Sequence, residues 1–86
     1  MKATKRPLTI DFFPLERQYV KEIMKWSTID KPIDITVPKS GPIEAKIETL
    51  EGTMIAHEGK DVIIKGIDNE VYPHKISIFQ KAYNVL

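Results

Sequence analysis

The sequence predicts an α+β fold: one long amphipathic helix packed on an antiparallel β-sheet meander, closed by a short C-terminal helix. Three observations predict it. Apolar and polar residues alternate with period two in a series of short segments. One stretch, about residues 15–26, switches to helical period. Single prolines and glycines punctuate the segments, with no internal repeat, low-complexity run or linker between them. A chain of 86 residues fits one domain over 1–86, with residues 1–6 expected to be flexible.

Leu8-Thr9-Ile10-Asp11-Phe12 alternates and reads as a half-buried strand, with Leu8, Ile10 and Phe12 inward and Phe13 on the other face. Pro14 suits the first position of a helix, where its missing N–H costs nothing. Leu15, Tyr19, Val20, Ile23, Met24 and Trp26 then fall on one side of a helix, and Glu16, Arg17, Lys21, Glu22 and Lys25 on the other. Ser27 to Pro32 ends it. Ile33–Val37 alternates strictly and is the next strand; Pro38 to Pro42 is a loop.

Ile43–Thr49 alternates again, Leu50-Glu51-Gly52 is a tight connection, and Thr53–Ala56 answers as a strand. His57 to Lys60 turns the chain into Asp61–Lys65, the most apolar strand and hence the expected central one. Asp68-Asn69 suits a two-residue hairpin turn, because both residue types tolerate positive φ. Glu70–His74 pairs back, and Pro73 marks an edge or the strand's end. Ile76, Phe79 and Tyr83 recur at helical spacing. Asn84-Val85-Leu86 is expected to close as a short strand.

Composition excludes more than it assigns. The formal net charge is +1, with 42% hydrophobic and 29% charged residues, the balance of an ordinary globular domain rather than a disordered or strongly acidic chain. The absence of Cys removes disulfides, thiolate metal sites and cysteine nucleophiles, and an unstapled chain this small is expected in the cytoplasm. No apolar run approaches the roughly 20 residues of a membrane span, so no membrane partner is expected.

The second half resembles a known family. Glu48-Thr49-Leu50-Glu51-Gly52-Thr53-Met54, Val62-Ile63-Ile64-Lys65-Gly66-Ile67, Glu70-Val71-Tyr72-Pro73-His74-Lys75 and Ile78-Phe79-Gln80-Lys81-Ala82-Tyr83 resemble the small phage and prophage proteins related to the PGDYG family. Lys5-Arg6-Pro7-Leu8 fits their opening more loosely. The Gly-Asp-Tyr signature itself reads Gly59-Lys60-Asp61-Val62 here, Asn69 stands for the usual turn Gly, and His74 stands where Cys is common. The resemblance implies a phage or prophage accessory protein acting inside a bacterial host. It implies no catalytic residues.

No catalytic constellation is legible. Ser27, Ser40 and Ser77 fall at helix ends or in a loop, outside any strand–turn–helix elbow. The glycines are scattered singly, so no phosphate-cradling loop exists. Neither His57 nor His74 has metal-ligand spacing. Glu48, Glu51, Asp61 and Glu70 read as a solvated face. The basic start, Lys2, Lys5 and Arg6, is a weak phosphate-binding candidate. We therefore expect no enzyme, cofactor or metal, and place candidate partner contacts at Tyr72, His74, Lys75 and Trp26, where aromatics and a stiff Tyr-Pro-His corner suit an interface. The expected function is binding, and in its stronger form inhibition, of a host protein through a sheet edge or helix face. A sequestering site for a small molecule or nucleotide is the alternative, and nucleic acid is less favoured. A homodimer is a further expectation, since it would enlarge a small core.

Overall fold

The computed structural model describes residues 1–4 and 8–86. Lys5 and Arg6, and with them part of the expected flexible start, lie outside the described residues. In chain order the elements are β1 (Asp11–Pro14), a 3-10 turn (Arg17–Tyr19) running into α1 (Val20–Met24), β2 (Ile33–Thr36), β3 (Glu44–Thr49), β4 (Gly52–His57), β5 (Asp61–Lys65), β6 (Val71–Lys75) and α2 (Ile76–Ala82).

The strands form two 3-stranded antiparallel sheets, ordered β1-β5-β6 and β2-β3-β4. This mostly β architecture overturns the expected long helix on a single meander. The meander is real only for β2-β3-β4. β1 instead pairs with β5, Asp11 opposite Lys65 and Pro14 opposite Val62, a contact far along the chain that periodicity cannot specify. β6 lies across β3 and β4, joining the sheets.

The long helix fails at both ends for physical reasons. Leu15 continues the strand: its N–H donates to the Asp61 carbonyl at 3.1 Å and its side chain is fully buried. Pro14 is consequently a strand residue, and Glu16 is extended at φ −140°. At the other end Trp26 and Ser27 donate to Ile23 and Met24, three residues back, tightening the helix to a close. Between them lie only 3 residues of 3-10 helix and 5 of α-helix. Packing of Leu15 outweighs the propensity of the window.

Two apolar clusters flank the β1-β5-β6 sheet. On one face Ile63, Val71 and Leu15 pack with Ile23, Ile33, Ile43, Ile47 and the small pair Ala45 and Ala56. On the other face Val62 and Ile64 pack with Phe79 of α2, and Ile10, Phe12, Tyr72 and Tyr83 join them. β5 is thus buried on both faces, which is why its sequence is a continuous apolar run. Phe12 and Phe13 point to opposite clusters, as their alternation predicts. The short C-terminal helix forms at the expected place, with Phe79 buried. The final residues 84–86 form no strand.

Candidate functional site

Hydrogen-bond phase shows which strand edges are open. In an antiparallel pair, residues alternate between those bonded to the neighbour and those whose backbone groups point away. The bond from Leu15 N–H to Asp61 O fixes the phase of β1, so the nitrogen of Pro14 faces outward. The bond from Gly66 N–H to Glu70 O fixes β6, so the nitrogen of Pro73 also faces outward. Both edges of this sheet therefore place a proline where a free N–H would stand, which blunts them.

The other sheet is guarded unequally. On β2 the outward N–H of Ile33 donates to Ser27 Oγ at 2.9 Å, and Pro32 and Pro38 bound the strand. On β4 the bond from Glu58 N–H to Ile43 O places Ala56 and Met54 toward β3, and Thr53, Ile55 and His57 outward. The His57 N–H is taken by Asp61 Oδ2 at 2.8 Å. Thr53 and Ile55 keep outward N–H and C=O groups with no partner among the described residues. β4 carries no Pro, Lys, Arg, Asp or Glu, the usual protections of an edge.

Beside β4 an open groove of about 440 Å³ lies between the sheets. Ile10, Met54 and Ile67 give it apolar walls, and the rings of Tyr72 and Tyr83 line it. Among the described residues its charged lining consists of Glu51 and Glu70, with no Lys, Arg or His. Burial, and then the neighbouring Tyr83 phenol, pushes the Tyr72 phenol up from 10.0 to about 12. The groove therefore presents a neutral hydroxyl at any physiological pH. Gly66 underlies this ring: a Cβ there would meet Tyr72 Cε1 at 3.3 Å.

The predicted contact residues fall in different places. Tyr72 is in the groove wall. His74 is half-buried on the same face of β6, its Nδ1 3.4 Å from the Lys75 carbonyl, and Lys75 is exposed at the strand's end. Trp26 lies across the sheet from them, packed on Phe13 with centroids 5.3 Å apart. The four do not form one patch. Sequence reasoning missed Glu51 and Glu70 as groove residues and the β4 edge altogether, although the uncharged run Gly52–His57 carried that signal.

The remaining candidates have structural roles. Asp61, expected on a solvated face, is buried and holds the turn between β4 and β5. Ser27 holds β2. His57 is half-exposed, with Glu44 at 4.0 Å and Asp61 at 3.9 Å from its ring nitrogens. Among the described residues no group of three His, Cys, Asp or Glu could hold a metal, and no helix is long and apolar enough to cross a membrane. No family model, curated protein or solved structure matches the chain.

Proposed function

We propose that this chain is a non-catalytic module that binds a protein, seating an apolar and basic segment of its partner in the groove between β4 and β6. The observation that carries this reading is the groove's lining. Two tyrosine rings and apolar walls offer contact area, and Glu51 and Glu70 are its only charges among the described residues. Aromatic faces and carboxylates together favour a Lys or Arg side chain with its apolar stem. The same carboxylates repel phosphate, which speaks against a nucleotide-sequestering site. The resemblance of the second half to phage accessory proteins makes a bacterial host protein the partner to test first, with inhibition following if the bound segment is needed for its activity.

The experiment is capture from bacterial lysate by the intact chain, followed by affinity measurement on the purified partner. Glu51→Lys with Glu70→Lys should weaken binding by at least about tenfold, with an unchanged melting curve. Lys21→Ala, on the exposed side of α1, should bind as the parent does. A partner held equally well after charge reversal at both positions would contradict the reading.

A further inference from the structure

We infer that β4 pairs antiparallel with β4 of a second copy of this chain, about a twofold axis at Met54. The open positions on this edge are Thr53 and Ile55, and they are mutually complementary in that register. Thr53 exchanges N–H to O=C bonds with the partner's Ile55, and Ile55 does the same with the partner's Thr53, so every bond uses a group without a partner among the described residues of the single chain. Met54 then faces the partner's Met54 as the closely spaced, non-hydrogen-bonded pair. Met54 and Ile55 are 38% and 47% exposed in the single chain, and the pairing covers both.

The open stretch is centred on Met54 and uncharged, which suits a second copy. β4 carries no Lys, Arg, Asp or Glu, so no like charges of the strand itself meet at the axis. The register sets the partner's Glu51 opposite His57, whose ring nitrogens already lie 4.0 Å from Glu44 and 3.9 Å from Asp61, so the pairing rests on the open backbone groups of the strand and not on that contact. The other edges are each interrupted. Pro14 and Pro73 remove outward donors from one sheet, and on β2 Ser27 occupies the Ile33 donor, leaving Ile35 alone between two bounding prolines.

Sedimentation equilibrium on the intact chain tests this without any other partner, so the groove reading stands or falls separately. The parent should pass from monomer to dimer with rising concentration. Ile55→Pro removes an outward N–H that β3 does not use and should weaken the dimer by at least about tenfold. Met54→Lys, which sets like charges together at the axis, should do the same; this exposed position decides the matter if the proline variant does not fold. A parent that stays monomeric to ~1 mM, or a dimer that a folded Met54→Lys variant forms equally well, overturns the inference.

Discussion

Asp68 and Asn69 both lie in the left-handed region, at φ 56° and 58°, with Glu70 N–H closing on the Ile67 carbonyl at 3.1 Å. This turn was legible because few residue types tolerate that conformation. Asn69→Gly should be neutral or mildly stabilising in chemical denaturation, whereas Asn69→Val should cost on the order of 1 kcal/mol or more; equal stabilities would contradict the turn. Asp61 was not legible, since a carboxylate between a turn and a strand reads as solvated until the turn folds back over it. Asp61→Ala leaves the His57 N–H without its acceptor and should cost about 1–3 kcal/mol. Tyr72 gives a pH test. Its folded-state pKa of about 12 exceeds the unfolded 10.0, so the folded state holds its proton more tightly. That stabilisation is complete below pH ~10 and is lost as pH rises toward ~12. The parent should therefore lose more stability across that window than Tyr72→Phe; parallel losses would show that Tyr72 ionises as freely folded as unfolded.

At the scale of elements, the strands were legible and the helix was overextended. Period-two alternation located β2, β3, β4, β5 and β6 within a residue or two, because each exposes one face or runs fully apolar. Residues 15–26 carry helical spacing, yet Leu15 and Trp26 reach the core from outside α1. The apolar face within it holds: Ile23 is fully buried and Lys21 exposed. Ile23→Ala should destabilise by roughly 2–4 kcal/mol through the cavity left behind, and Lys21→Ala should change little. Adjacent residues of β5 test the two-sided burial of its sheet. Ile63 and Ile64 point to opposite clusters and both are fully buried, so Ile63→Ala and Ile64→Ala should each cost about 2–5 kcal/mol. A sheet covered on one face alone would leave one of the pair nearly neutral.

For the whole molecule, what sequence could not supply was which strands meet. The pairing of β1 with β5 joins segments about half the chain apart, and alternation carries no information about the partner. Once the pairing is known, the prolines acquire meaning: Pro14 and Pro73 guard the two edges of one sheet, while β4 of the other is left open beside the groove. That open edge is the centre of the account, and residue-resolved amide hydrogen exchange tests it most directly. Met54 and Ala56, whose N–H groups point toward β3, should be protected at every protein concentration. Thr53 and Ile55 should exchange freely in dilute solution and gain protection as concentration rises and β4 finds its copy. Protection of Thr53 and Ile55 already present in dilute monomer would show the edge to be covered, and free exchange persisting at high concentration would show that it does not pair.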